Sequence, residues 1–196
     1  MRIDGIILAA GLSTRFGRPK QLAEWRGQPL ILHAAETALG SRLRNVIVVI
    51  GHVADQVRAA LNPVAERPNL KVVYNPEYEE GRASSIRYGL KALPKDAPAA
   101  MFLAGDQPLI GPELINALID TFIQRRPLIC YPVSGLTRSN PTIFAAALFP
   151  ELMRLTGDVG GSALIEKYKS RVCEHPIPSL GTTADVDQED DFQSLP

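Results

Sequence analysis

The sequence predicts an α/β fold: a mostly parallel central sheet covered by helices on both faces. Three observations carry this. Short apolar, β-branched runs recur along the chain, segments with helical periodicity separate them, and the apolar runs are continuous rather than alternating, as strands buried on both faces require. The first run, Ile6–Ala9, is followed by a loop rich in glycine and cations, and later runs fall at Val46–Ile50, Lys71–Tyr74, Ala99–Leu103 and Leu128–Tyr131. Between them, Leu30–Leu39 places Leu30, Ile31, Ala34, Ala35, Ala38 and Leu39 on one helical face. Similar spacing predicts helices over Val53–Leu61, Ser84–Leu93, Pro112–Ile123 and Ala145–Leu155, with Pro29 and Pro112 suited to first-turn positions. The Pro-rich patches at Asn62–Pro68 and His175–Ser179 read as surface connections.

At 196 residues, one compact domain spanning 1–196 is the expectation. Lys plus Arg and Asp plus Glu each number 21, so no global field attracts nucleic acid or an anionic membrane, and any anion site must be local. No apolar run approaches the roughly 18 residues of a membrane span. The N-terminus enters a strand-like segment without the layout of a signal peptide, so a cytoplasmic location is expected. Cys130 and Cys173, far apart in sequence, read as two buried free thiols rather than a redox or metal pair. His33, His52 and His175 do not cluster, which argues against zinc.

The most informative segment is Ile6-Ile7-Leu8-Ala9-Ala10-Gly11-Leu12-Ser13-Thr14-Arg15-Phe16-Gly17-Arg18-Pro19-Lys20. A buried strand breaks into a loop with two glycines, two hydroxyls and three cations. Exposed backbone N–H groups with nearby positive charge suit an anion, above all a polyphosphate. A Walker A loop starting at Gly11 would need Gly and Lys where Phe16 and Gly17 stand, and Ser13 replaces the second glycine of a dinucleotide fingerprint. In open α/β sheets ligands sit beyond the carboxyl ends of strands, so the other strand-end loops matter too. Ala104-Gly105-Asp106-Gln107-Pro108 sets a carboxylate at the mouth of the sheet, where Mg²⁺ with phosphate oxygens and water would find a ligand; a turn or helix cap is the plainer alternative. Asp185-Val186-Asp187 on an extended segment would point both acids to one side, toward the same ion, while Glu189, Asp190 and Asp191 suit a helix N-terminus. After the third run, Asn75 through Ser85 contains Gly81, which allows close backbone approach, and Ser84 and Ser85, which either donate to a ligand or cap the following helix.

The pattern A-A-G-x-S-x-R-x-G-x-x-K resembles the signature loop of nucleotidyltransferases that activate sugars, alcohols and pterins, and within them most resembles the molybdenum cofactor cytidylyltransferases, from the first loop through the C-terminal D-x-D. The resemblance implies a three-layer Rossmann-like, GT-A-like domain. It implies that Ala9, Ala10, Gly11, Leu12 and Ser13 cradle the triphosphate, and that Arg15 and Lys20 neutralise its charge as pyrophosphate departs. Asp106 and Asp187, with Asp185 as an alternate, would hold Mg²⁺. Asn75, Gly81, Ser84 and Ser85 would recognise base and ribose. Asn140, Pro141 and Asp158 would border the acceptor pocket. The chain departs from the family at Ser139, where Gly is common, and at Gln188-Glu189, where Thr-Pro is usual.

The reaction so implied is transfer of CMP from CTP to the phosphate of molybdopterin, whose product passes to a molybdenum hydroxylase. The acceptor phosphate is already ionised, so His52 is not needed as a base; His33 and Trp25 read as structural. The related guanylyltransferases carry Gly-Gly where this chain has Ala10-Gly11, and the extra methyl is expected to favour a pyrimidine by about 1–3 kcal/mol. Alternatives are guanylyl or other nucleotidyl transfer to a pterin, sugar phosphate or polyol phosphate, and a non-catalytic accessory protein that binds nucleotide or pterin for hydroxylase maturation. A plain structural binding module would need neither the cationic loop nor the strand-end acids.

Overall fold

In the computed structural model, residues 1–14 and 16–179 are described. β1 (Asp4–Ala9) runs into the glycine-rich loop, which ends in a 3-10 turn at Lys20–Leu22. A small hairpin of β2 (Glu24–Trp25) and β3 (Gln28–Pro29) leads to α1 (Leu30–Leu39). There follow β4 (Val46–Ile50), α2 (Ala54–Ala60), β5 (Leu70–Tyr74), α3 (Arg82–Ala92), β6 (Ala99–Ala104) and α4 (Pro112–Arg125). The last part holds β7 (Ile129–Ser134), β8 (Thr137–Arg138), β9 (Thr142–Ala145), α5 (Phe149–Leu152), α6 (Ser162–Lys167) and β10 (Val172–Pro176).

Among the described residues the main sheet has eight strands in the order β10-β7-β9-β6-β1-β4-β5, with β8 paired to β7. β1 pairs in parallel with β4 and β6, β4 with β5, and β7 with β10; β9 runs antiparallel to both neighbours. The continuous apolar strands follow from burial on both faces. Ile7 packs in one layer with Ile31, Ala35, Val57, Ile115 and Phe122 from α1, α2 and α4. Its neighbour Ile6 packs in the other with Ile86, Leu90, Leu152 and Leu164 from α3, α5 and α6. Both isoleucines are fully buried, and full burial of a side chain this size contributes about 1.5–3 kcal/mol. This is the three-layer, mostly parallel arrangement expected.

Two expectations need correction, and a third gains a detail. Ala145–Leu155 is not one helix: Ala145 ends β9, Ala146–Leu148 is a 3-10 turn, and the α-helix covers only Phe149–Leu152. The apolar residues there satisfy a strand inserted between β6 and β7 as well as a helical face. Pro29 precedes the first helix as its cap instead of opening it. The two cysteines are buried and free, but they are register partners on the parallel strands β7 and β10. Burial, with the neighbouring Cys173, pushes the Cys130 thiol up to about 12, so it stays protonated and inert. Among the described residues no helix is long and apolar enough to cross a membrane.

From β1 the chain adds β4 and β5 on one side, then returns to place β6 on the other. The carboxyl ends of β1 and β6 therefore flank the point where strand order reverses, where open α/β sheets bind ligands.

Candidate active site

The first wall of the site is the loop from Ala9 to Lys20 together with the end of β6. Lys20 Nζ lies 2.7 Å from Asp106 Oδ2, with side-chain exposures of 14% and 26%. The other carboxylate oxygen, Asp106 Oδ1, is buried and has no hydrogen-bond partner among the described residues. A buried unpaired acceptor costs about 1–3 kcal/mol, so its presence at a strand end needs a reason. A hard cation with oxygen preference would use that oxygen, beside a loop suited to phosphate, although the Lys20 ammonium competes for the same carboxylate and among the described residues no cluster of three or more acidic, His or Cys ligands surrounds it. Arg15, Asp185 and Asp187 lie outside the described residues.

The loop is closed by its own side chains. Ser13 adopts φ 55°, a left-handed conformation uncommon outside glycine. Its hydroxyl accepts the Lys20 backbone N–H at 3.0 Å and donates to Gln21 Oε1 at 3.2 Å. Gln21 Nε2 donates to the carbonyls of Ala9 (3.2 Å) and Gly11 (2.8 Å). Gln21 is a residue that sequence reasoning misses. Its signal is faint: a neutral polar side chain directly after the loop lysine, ahead of the apolar Leu22-Ala23.

The second wall follows β5. Asn75 is fully buried; its amide donates to Ser84 Oγ (2.8 Å) and Ser85 Oγ (3.1 Å), and its Oδ1 accepts the Glu77 N–H at 2.9 Å. Ser84 in turn donates to the Gly81 carbonyl at 2.9 Å. These four residues do come together, but the three polar side chains bond one another and the backbone. Gly81 has φ 93° and ψ −175°, and a Cβ there would lie 2.6 Å from the Gly157 carbonyl carbon. Glycine is therefore required twice, for its torsion and for the close approach. Asp158 Oδ1 accepts the Arg82 N–H at 3.3 Å and Gly157 O accepts that of Ala83 at 3.1 Å, so the Asp158 loop caps α3 from a distant part of the chain.

The two walls meet at Gly51, where a Cβ would lie 2.8 Å from Ala10 Cβ and 2.5 Å from Tyr78 Cβ. Ala10 is 2% exposed, its methyl buried in the cluster with Ile6 and Ile86. The methyl faces the core and not the open side of the loop, which removes the steric reason to favour a pyrimidine. His52 donates its backbone N–H to the Ala10 carbonyl at 3.2 Å, and His33 Nε2 lies 2.7 Å from the Trp25 carbonyl, a structural contact as expected. Thr142 of antiparallel β9 is opposite Phe102, so the cis Asn140–Pro141 peptide precedes β9 at the same sheet edge as Asp106.

A glycine-bearing loop after the first strand, with a Lys–Asp pair at the reversal of strand order, defines the class: an open α/β domain with its candidate site at the strand ends. The chain belongs to the MobA-like NTP transferase domain family, which residues 5–172 match. It is similar to Rv0371c from Mycobacterium tuberculosis H37Rv (30% identity, TM-score 0.84, covering 100% of this chain and 98% of that one), which was also solved in complex with manganese. It is 30% identical to a 3-deoxy-manno-octulosonate cytidylyltransferase of Chloroherpeton thalassium over 174 residues, 88% of this chain and 64% of that protein. It is 32% identical to the bifunctional protein GlmU of Sorangium cellulosum over 120 residues, 59% of this chain and 25% of that protein's length.

Proposed function

We propose that this chain is a divalent-metal-dependent nucleotidyltransferase that moves CMP from CTP to the phosphate of a molybdopterin-type acceptor. The observation that carries the reading is the Lys20–Asp106 pair, with its unpartnered Asp106 Oδ1, at the mouth of β1 and β6. An acceptor phosphate oxygen bonds to the α-phosphorus, the bond to the β-phosphate breaks, and pyrophosphate leaves. Asp106, with Asp187 as second carboxylate, would hold Mg²⁺ or Mn²⁺, which when bound would supply charge neutralisation for the phosphates. Lys20 leaves Asp106 for the β- and γ-phosphates, where Arg15 joins it. The loop from Ala9 to Ser13 cradles the phosphates through backbone N–H groups. The Gly81 wall, shaped by Asn75, Ser84 and Ser85, faces base and ribose, and Asn140 and Pro141 border the acceptor, with Asp158 on the N-terminus of α3. The product would pass to a molybdenum hydroxylase in the cytoplasm.

The choice of CTP rests on the resemblance of the loop and on the similarity to the Chloroherpeton cytidylyltransferase. That same similarity favours a second reading, in which the acceptor is a sugar acid. A thermal-shift panel with CTP, GTP, ATP and UTP, each with and without Mg²⁺ or Mn²⁺, tests the nucleotide. A ligand at about 100 times its Kd adds roughly 2.7 kcal/mol of stability. Selective stabilisation by CTP with metal is expected; preference for GTP overturns the cytidylyl assignment, and no response to any nucleotide overturns the enzyme reading. Pyrophosphate release with molybdopterin against 3-deoxy-manno-octulosonate then separates the two acceptors.

A further inference from the structure

We infer that Gln21 is the positioning residue of the phosphate loop: it fixes the direction of the loop's backbone N–H groups and so sets affinity for the nucleotide's polyphosphate. The inference rests on the nucleotidyltransferase reading. Gln21 is 7% exposed and makes three bonds, to the carbonyls of Ala9 and Gly11 and to the hydroxyl of Ser13. Its two amide donors and its carbonyl acceptor are all engaged, and among side chains only a neutral carboxamide offers that set.

The consequence follows from peptide geometry. In a trans peptide the carbonyl and the next N–H point in opposite directions. With the Ala9 and Gly11 carbonyls held toward Gln21, the N–H groups of Ala10 and Leu12 point away from it. Leu12 is 41% exposed, so this stretch of the loop borders solvent, where an anion approaches. Without Gln21, the Gly11 carbonyl loses its side-chain partner and its peptide is released to rotate, turning a negative oxygen end toward the phosphates, while the Ala9 peptide stays held in the β1–β4 ladder. The same amide holds Ser13, which holds the Lys20 backbone, whose side chain reaches Asp106. Gln21 thus braces the cradle's backbone, while the Lys20 side chain keeps its own contact with Asp106.

The test compares the full-length wild type with Gln21→Met, which keeps length and removes the polar groups, and with the milder Ser13→Ala. Binding of inorganic pyrophosphate, CTP and CMP is measured by calorimetry with Mn²⁺ present, alongside steady-state kinetics and thermal denaturation. In Gln21→Met, Kd for pyrophosphate and KM for CTP are expected to rise about tenfold or more, while CMP affinity, acceptor KM and kcat change by less than about threefold, because a contact made equally in ground and transition states appears in KM. Ser13→Ala is expected to show the same pattern more weakly, and it carries the test if Gln21→Met fails to fold. Unchanged pyrophosphate affinity in the variants overturns the inference, as does a parallel loss for CTP, CMP and acceptor with falling kcat, the mark of a merely structural role. A wild type that binds neither CTP nor pyrophosphate overturns the nucleotidyltransferase reading itself, and the inference with it.

Discussion

Where β1 and β6 end, charged side chains remain within reach of solvent: Lys20 and Asp106 pair at 2.7 Å, and Asp106 Oδ1 has no protein partner among the described residues. Where β5 ends, the polar side chains of Asn75, Ser84 and Ser85 are buried and bonded to one another. The first wall presents chemical groups, while the second presents a backbone shape. A substitution in the first should therefore remove activity and spare the fold, and one in the second should cost stability before it touches chemistry.

The largest effect is expected at Asp106. Asp106→Ala removes the carboxylate proposed to hold the metal, with an expected loss of several kcal/mol of transition-state stabilisation, or about a thousandfold in kcat. It also removes the unpaired buried oxygen, so the melting temperature is expected to hold or rise. Wild-type turnover in this variant would end the proposed mechanism. Lys20→Met sharpens the same wall. The ammonium lies on one oxygen of the carboxylate proposed to hold the metal, so in that mechanism the two cations would compete until phosphates draw Lys20 away. Its loss is expected to lower kcat by about a hundredfold or more while strengthening Mn²⁺ binding in the absence of nucleotide, read by electron paramagnetic resonance. Weaker Mn²⁺ binding would instead mean that Lys20 orients Asp106 for the ion.

How far the sequence discloses this site follows from how local each feature is. The strand ends, the anion loop, Lys20 and Asp106 are legible because a buried apolar run that stops abruptly at glycine and charge marks the mouth of a sheet. Helix limits are close, with Ser84–Leu93 expected and Arg82–Ala92 found. What escapes depends on contacts between distant segments. β10, with Glu174 and His175 in its middle, is an edge strand without an alternating or continuous apolar pattern. The pairing of Cys130 with Cys173 is created by β10 docking on β7. The inward direction of the Ala10 methyl depends on Gly51 and α3, and no local pattern encodes it. Gln21 makes local bonds, but a glutamine after a loop lysine usually faces water, so only its burial marks it.

The second wall should break at Gly81. Gly81→Ala places a side chain in a torsional region held almost only by glycine and within 2.6 Å of the Gly157 backbone. Strain of about 1–3 kcal/mol and a comparable packing penalty should add. Chemical denaturation is expected to show a loss of about 3 kcal/mol, and KM for nucleotide should rise more than kcat falls. Full stability in this variant would mean that the Asp158 loop moves aside at little cost, and the distinction between a chemical wall and a shaped wall would fail.

The smallest effect is expected at Asp158, where the comparison is sharpest, because family resemblance assigns it to the acceptor whereas its carboxylate sits on the α3 N-terminus. A helix cap contributes about 1 kcal/mol, which in a protein this size is about 2–4 °C in melting temperature. Asp158→Ala is expected to lose that amount. Asp158→Asn, which also caps, is expected to recover most of it, with acceptor KM within about threefold of wild type in both. The opposite pattern is a normal melting temperature in Asp158→Asn with acceptor KM raised about tenfold. That would return the carboxylate to the acceptor, and the cap would then be what Asp158 does only until the acceptor arrives. The 3.3 Å bond is to an exposed N–H, where an arriving acceptor can compete for the carboxylate, so the behaviour of the Asn variant, and not that of the Ala variant, decides between the two.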